Sequence, residues 1–547
     1  MSQGFEEILK GVGVIGRKQI EVFFLVSLAD VMTSWTILIP IFIGAQPEWI
    51  CPSDSNGTSS WSNGSHREDA HDDVSKILAG NLSTTNSTKN MCSADNNICS
   101  GITYTSPFTS MVTEWNLVCD LEYVSDIITT IQMAGLFFGA LAISQLSDMF
   151  GRKPVWYAAL TVNSIVGFAS AFAPRWEVMA AMRFINGMCA GGLLLVSFAW
   201  PLEFVGIKWR IYLNVLNLWT PGSMLLPLLA YYIRDWKTLL MVTTPFPTVF
   251  VWFLWKFMLE SPRWLAMQER LEEAEEVLSI IAKANGKSPP SVETLKQFIE
   301  EEKKNAAKAK KFSFWDLFRT PQLAKHTLVL MFLWFVYGAA FYGISLNVKN
   351  LPGDKYLNSF LLAAVEIPAL AVALVCGIWL GRRVTMFGTL LIGGLAIFSV
   401  LFIGLAGKLE ELSVLVTCLS LLGKCGVMAA WNLGYLVTGE LFPTVVRSIG
   451  GGAASIAGRA GGVTAPQFAS LGRVSRELPF IVFGSLAVVA AFFGLLLPET
   501  KMRRLPDSLP EWSWCSRKPY IEDEVTSSDK ENDDMHGKSK ETISTDL

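Results

Sequence analysis

Long apolar runs constrain this chain more than any other feature. Residues 22–44, 155–173, 238–259, 359–380 and 479–497 are each almost free of charge. A bilayer core is roughly 30 Å thick and a helix rises about 1.5 Å per residue, so about 20 apolar residues cross it. Inside hydrocarbon the backbone must satisfy its own hydrogen bonds, and an open chain does so as a helix. With 51% hydrophobic and 17% charged residues over 547 positions, the runs predict an all-α membrane protein. Twelve spans are expected, at 20–44, 124–147, 155–173, 178–200, 211–233, 238–259, 327–346, 358–380, 385–406, 411–437, 449–470 and 478–497. The first run follows Glu6, Glu7 and Glu21, exceeds a signal-peptide core and lacks a small-residue cleavage site, so it reads as a span.

Two polar segments interrupt the pattern. Residues 45–123 carry four sequons, at Asn56, Asn63, Asn81 and Asn86. Together they predict a glycosylated loop facing the cell exterior. The same loop holds Cys51, Cys92, Cys99 and Cys119, an even set that fits two disulfides in any of three pairings. Residues 260–326 are instead rich in Glu and Lys at helical spacing and contain no cysteine. Basic clusters at Arg152-Lys153, Lys208/Arg210, Arg382-Arg383 and Arg447 fall on the side of this segment. Positive charge marks the cytoplasmic face, so segments 1–19, 260–326 and 498–547 are expected in the cytoplasm, with both termini inside.

The chain also repeats itself. Glu203 and Arg210 lie seven apart after the fourth span, and Glu440 and Arg447 lie seven apart after the tenth, an offset of 237 (440−203). GRK at 151–153 and GRR at 381–383 follow the second and eighth spans, an offset of 230 (381−151). ESPRWL at 260–265 closes the first six spans and PETKMRRL at 498–505 the second six. Six plus six spans around a long linker is a parallel-repeat transporter plan.

Several motifs carry a family resemblance. SDMFGRK (147–153) resembles the signature loop of the major facilitator superfamily. EWNLVCD (114–120), ESPRWL (260–265), FWDLFRTPQL (314–323) and TGELFPTVVRSIG (438–450) resemble solute carrier family 22, the organic cation, anion and zwitterion transporters. The resemblance covers nearly the whole chain and implies two six-helix bundles, 124–259 with the first span and 327–497. Ser144 stands where the signature usually has Gly, and Met149 where it usually has a basic residue. The resemblance implies a gating role for Asp148, Gly151, Arg152, Lys153, Glu203, Arg210, Arg382, Arg383, Glu440 and Arg447. Plain anchoring of the spans is the other reading of these charges.

Ionisable residues inside spans point to the transport site. Arg459 lies mid-span in SIAGRAGGV, Lys424 in LLGKCGVMAAWN and Glu366 in AAVEIPAL. Each costs on the order of 2.5–3.5 kcal/mol or less at the centre of a lipid-facing helix, so each should face a wet cavity or a buried partner. Gly458, Gly461 and Gly462 should let helices approach near Arg459. Pro368 and Pro466 should interrupt helical ladders. Trp219, Phe341, Tyr342, Trp431 and Tyr435 supply aromatic walls that suit organic cations. Asp30 is buried by position without an evident role.

The resemblance assigns these positions further. Arg459 matches a position that is Arg in organic anion and carnitine-type carriers and Asp in pure cation carriers. Lys424 matches a Lys found across several branches. Glu366, in VEIPA, matches an acidic position of cation and zwitterion carriers, and Leu370 stands where anion carriers often have Lys. Trp219, Phe341, Tyr342 and Trp431 fall where relatives have cavity aromatics. The expected substrate is therefore a small zwitterion or organic cation of carnitine type. Arg459 would grip the carboxylate, and Glu366 with the aromatics would favour the cationic end. An organic anion exchanger is the alternative, and a non-transporting sensor or receptor the alternative of another class.

No enzyme is indicated. NGKS at 285–288 is half of a phosphate loop, with Ile281 where Gly is needed. The four His residues are scattered, so neither catalysis nor a metal is expected, and no cofactor beyond a possible sodium or proton gradient. A net charge of −3 gives nucleic acid no purchase. The polar tail is expected to be disordered. Its Thr545-Asp546-Leu547 end fits a PDZ-type scaffold.

Overall fold

The computed structural model describes residues 3–50, 102–206, 209–210, 217–308, 312–443 and 445–501. The four sequons, Cys51, Cys92, Cys99, Lys208 and the residue 545–547 motif lie outside the described residues. Cys119 is disulfide-bonded.

Helices occupy all twelve predicted stretches. They are α2 (Arg17–Leu38), α3 (Val124–Phe150), α4 (Arg152–Ser170), α5 (Trp176–Leu202), α6 (Trp219–Tyr232), then α7 (Trp236–Thr243) continued by α8 (Pro245–Phe253). After the linker come α11 (Pro321–Leu346), α12 (Lys355–Ala364) continued by α13 (Glu366–Trp379), α14 (Arg382–Leu405), α15 (Ser413–Leu441), α16 (Arg447–Ser470) and α17 (Leu478–Gly494). Among the described residues, seven helical segments are long and apolar enough to cross a membrane unaided by further criteria. Of the rest, α4 and α16 are long but carry more polar or small residues, and the others are shorter.

Three more helices are amphipathic. α1 (Gln3–Val12) turns Phe5, Ile8, Leu9 and Val12 inward, and linker helices α9 (Leu271–Ala284) and α10 (Val292–Lys308) do the same with Ile281, Leu295, Phe298 and Ile299. These faces share one core with α2, α4 and α5, and the Phe5 and Phe298 rings lie 5.5 Å apart. The linker is thus a packed helical element. A two-residue antiparallel pair, β1 (Trp49–Ile50) with β2 (Thr103–Tyr104), closes the base of the long loop.

Proline places the breaks. Pro40 has no N–H to give the carbonyl of Thr36, and α2 stops at Leu38 before a short turn, Pro40–Ile43. The Gln132 side-chain amide donates to that carbonyl at 2.8 Å, tying α3 to α2. Pro368 likewise leaves the carbonyl of Ala364 unserved, and α12 gives way to α13 there. Pro466 differs from the expectation: α16 runs through it without interruption.

The chain forms two compact units. The first comprises 1–302, 345–364 and 466–476, and the second 303–344, 365–465 and 477–547. The C-terminal ends of α11 and α16 and the whole of α12 therefore belong with the first unit rather than with the second-half bundle. In the first unit, α3 and α5 touch through glycine: a Cβ on Gly187 would sit 2.0 Å from the Gln132 carbonyl oxygen. That carbonyl belongs to rigid backbone. Gly187→Val is expected to destabilise the protein by roughly 1–3 kcal/mol, typical of overpacking. A thermal melt of detergent-extracted protein checks this, and an unchanged midpoint would show that glycine does not set the α3–α5 spacing.

Candidate functional site

The repeated loop motifs form the same structure twice. Gly151 has φ +108° and starts α4; Gly381 has φ +93° and starts α14. Both sit in a backbone region where a Cβ is strained. The space is also taken: a Cβ would meet Glu260 Oε2 at 2.8 Å in one turn and Glu499 Oε2 at 2.7 Å in the other. Each carboxylate caps the helix start. Glu260 accepts from the backbone N–H groups of Arg152 and Lys153, both at 3.1 Å. Glu499 accepts from those of Arg382 and Arg383 at 2.9 and 3.0 Å. A helix N-terminus presents free donors and a partial positive charge, which suits an anion.

A guanidinium bridge follows in each repeat. Arg152 reaches Glu203 at 3.1 Å, and Arg382 reaches Glu440 at 3.2 Å. Asp148 pairs with Arg152 at 2.5 Å, one turn away on the exposed side. Lys153 donates to the carbonyl of Met258 and lies 4.4 Å above the Trp255 ring. Arg383 donates to the carbonyl of Leu495. Arg210 and Arg447 do not bind the Glu residues seven positions before them. Arg210 donates to the carbonyls of Leu202 and Val205, with Glu6 at 3.8 Å, and Arg447 donates to the carbonyl of Phe442.

The two capping carboxylates differ in acidity. Burial pushes the Glu260 carboxyl above the usual range, against the pull of its backbone donors. Burial also raises Glu499, but four backbone N–H donors, from 382, 383, 500 and 501, outweigh it and hold the group below the usual range. Neither residue was singled out as a site residue from sequence. The signal was present in the Glu of ESPRWL and the Glu of PETKMRRL, offset by 239 (499−260).

The buried charges of the second unit fall into two groups. Lys424 of α15 binds Glu366 of α13 at 3.1 Å, with side chains only 4% and 1% exposed. Its ammonium lies 4.7 Å from the Phe341 ring centre. Glu366 is therefore committed to Lys424 in this conformation and does not stand open as a cation receptor. Arg459 of α16 donates to the side chain and carbonyl of Ser455, and its buried Nε has no hydrogen-bond partner. Among the described residues no carboxylate pairs with it. Tyr342 and Tyr435 are its electrostatic neighbours, and Tyr342 also feels Glu366.

Aromatic rings surround these groups. Trp431 lies 5.4 Å from Phe341, 6.5 Å from Tyr342 and 6.4 Å from Tyr435, measured between ring centres. Trp334, not anticipated from sequence, joins at 5.5 Å. Glycine lets α16 approach α11 closely enough to carry Arg459 to these rings: a Cβ on Gly461 would sit 2.0 Å from the Phe335 carbonyl oxygen. The second unit thus gathers Glu366, Lys424, Phe341, Tyr342 and Trp431, with Arg459 beside the tyrosines. Trp219 lies in the first unit, half-buried at the start of α6, as does half-buried Asp30 in α2.

The first unit holds a polar core of its own. Asn186 donates to the side chain and carbonyl of Asn163, which donates to the Thr36 hydroxyl. One turn from Asn186, Arg183 is 1% exposed, and its Nε and Nη2 have no hydrogen-bond partner. An arginine within the fourth predicted span was the available signal for it. Among the described residues no group of three or more His, Cys, Asp or Glu side chains gathers as a metal site would require.

Breaking the buried pair from one side should be costly. Glu366→Gln leaves the Lys424 ammonium buried without its counter-charge, at an expected cost of roughly 3–5 kcal/mol, whereas Glu366→Gln with Lys424→Met should recover most of it. Thermal melts of the three proteins check this. Equal melting of Glu366→Gln and wild type would show that the pair is not coupled.

The family model described as Sugar (and other) transporter matches residues 77–512. The organic cation transporter protein of Drosophila melanogaster is 31% identical, covering 94% of this chain and 96% of its own. Solute carrier family 22 member 4 of Mus musculus is 32% identical, covering 93% and 94%. Organic cation/carnitine transporter 2 of Homo sapiens is 33% identical, covering 93% of both. The inward open conformation of the xylose transporter XylE from E. coli superposes with a TM-score of 0.60 at 16% identity, covering 89% of this chain and 98% of that one. That likeness concerns the fold: the twelve-helix arrangement of the major facilitator superfamily.

Proposed function

This chain belongs to the solute carrier family 22 transporters of the major facilitator superfamily, and on that premise we propose that it carries small zwitterionic organic ions of carnitine type across the plasma membrane. Transport would proceed by alternating access, with both termini in the cytoplasm and 45–123 outside. The observation that carries the substrate class is the unequal pairing of the buried charges. Lys424 and Glu366 neutralise one another at 3.1 Å. Arg459 keeps a guanidinium with no carboxylate partner among the described residues, next to aromatic rings.

A guanidinium beside an aromatic wall favours a ligand that brings its own carboxylate. The rings around Trp431 offer faces to a quaternary ammonium. In this reading Glu366 acts through Lys424, holding its ammonium against Phe341, and the aromatic faces hold the cationic end of the substrate. The name of the human relative, organic cation/carnitine transporter 2, is consistent with a ligand of both polarities. The networks around Arg152 and Arg382 would stabilise one conformation of the transport cycle. Asp148, Gly151, Lys153, Arg210, Arg383 and Arg447 shape the turns or hold nearby carbonyls. A sodium or proton gradient would supply the driving force.

Uptake by cells expressing wild type and Arg459→Ala tests the assignment, using carnitine, a simple quaternary cation and an organic anion, each with and without a sodium gradient. Loss of a charge-assisted bidentate contact should lower carnitine uptake on the order of tenfold or more. Flux of the simple cation should survive. Undiminished carnitine uptake by the variant would remove Arg459 from the site. Wild-type uptake confined to the anion would replace the zwitterion with the anion carrier.

A further inference from the structure

A cluster of aromatic side chains in the first unit already holds a cation. The Lys355 ammonium, at the start of α12, lies 2.9 Å from the Phe108 ring centre and 5.1 Å from that of Tyr356. Tyr356 stacks on Phe42 at 5.8 Å with the planes 5° apart, and it meets Tyr231 edge-on at 5.7 Å. Tyr232, 82% exposed, continues the cluster from Tyr231 at 5.5 Å. Phe42 is buried, whereas Phe108, Lys355 and Tyr356 are half-buried and Tyr231 is exposed. The cluster thus has a closed floor and an open side.

Polar bonds fix the rings from both sides. Thr109, next to Phe108, donates its N–H to the Arg234 carbonyl at 3.0 Å and its hydroxyl to Asp235 at 2.7 Å. The Trp236 N–H donates to the same hydroxyl at 3.1 Å. Tyr356 sits in the first turn of α12, which Asp354 caps by accepting the Leu357 N–H at 2.8 Å. The Asn358 side-chain amide donates to the Pro352 carbonyl at 2.9 Å and closes the turn before it. Lys355 is held less firmly than the rings. Exposed Asp354 acts on its ammonium from the neighbouring position, without an ion pair between them.

A lysine ammonium is compact and strongly hydrated, and it gives up part of that hydration on an aromatic face. A quaternary ammonium has no N–H to hydrate, so the same faces suit it better. We propose that Phe108 and Tyr356 form a second organic-cation site, in which Lys355 is a built-in stand-in that a quaternary ammonium displaces. The site belongs to the first unit, whereas Arg459 and its neighbours belong to the second. The freed Lys355 side chain turns to water and to the exposed Asp354 carboxylate, so the exchange leaves no charge stranded. Access from the cell exterior rests on the reading that 45–123 lies outside. The substrate assigned to Arg459 is not needed for it.

The test is amine labelling of the full-length protein on intact cells with a membrane-impermeant acylating reagent, read at Lys355 by mass spectrometry. Tetramethylammonium chloride is the probe, compared with sodium chloride at equal ionic strength. Displacement should raise Lys355 labelling on the order of threefold and saturate with the probe. A cation settling beside an undisplaced lysine would shield it instead, so an unchanged or reduced rate overturns the proposal. Phe108→Leu keeps apolar bulk and removes one ring face. In that variant Lys355 should label fast without the probe, and the probe should add little. A rise as large as in wild type would also overturn the site. Should Phe108→Leu not reach the surface, Tyr356→Leu takes its place with the same two outcomes. Permeabilised cells run in parallel separate this site from the topology it assumes. Labelling seen only after permeabilisation would place this end inside the cell, and the response to tetramethylammonium there would still decide the site.

Discussion

Within hydrocarbon, a polar group that lacks a protein partner has no water to turn to, and much of this structure follows from that constraint. Pro40 removes a donor from the Thr36 carbonyl, and Gln132 from another helix replaces it. Glu366 and Lys424 are nearly sealed from solvent and tolerate it because they have each other. Asn186, Asn163 and Thr36 form a chain of donors and acceptors across three helices. Such bonds specify which helices are neighbours in a core where apolar surfaces alone choose poorly.

The duplicated halves apply one solution to another difficulty, the start of a helix at a tight turn. A carboxylate from a distant segment caps the free N–H groups, a glycine leaves room for it, and an arginine one residue on reaches a second carboxylate. The copies share geometry but differ in setting. Burial dominates at Glu260 and backbone donors dominate at Glu499. Buried charge is also divided unevenly. The second unit contains a neutralised pair and Arg459, whereas the first contains an amide cluster and Arg183.

Much of the candidate site could be read from sequence because a charge in an apolar run stands out against its background. Arg459, Lys424 and Glu366 are conspicuous for that reason, and Trp431 lies seven residues (431−424), two turns, from Lys424. Partnership was less visible. Glu203 and Arg210 recur as a unit in the chain, yet Glu203 turns to Arg152 and Arg210 to backbone carbonyls. In the sequence Glu366 reads as a receptor for a cation, yet its counter-charge is already present in Lys424. Glu260, Glu499, Asp126 and Lys349 lie at the edges of spans, where charge is ordinary and gives no warning.

The order of apolar and polar stretches, read against the thickness of a bilayer, determined the helices and their approximate limits. Those features depend on local composition, which the chain carries at every position. Tertiary structure alone decided which charge meets which. Lys424 and Glu366 are 58 positions apart (424−366), and Asp126 and Lys349 are 223 apart (349−126). Contacts at such separations depend on helix rotation, on glycine-limited spacing and on proline breaks acting together, and no short stretch of sequence records that combination.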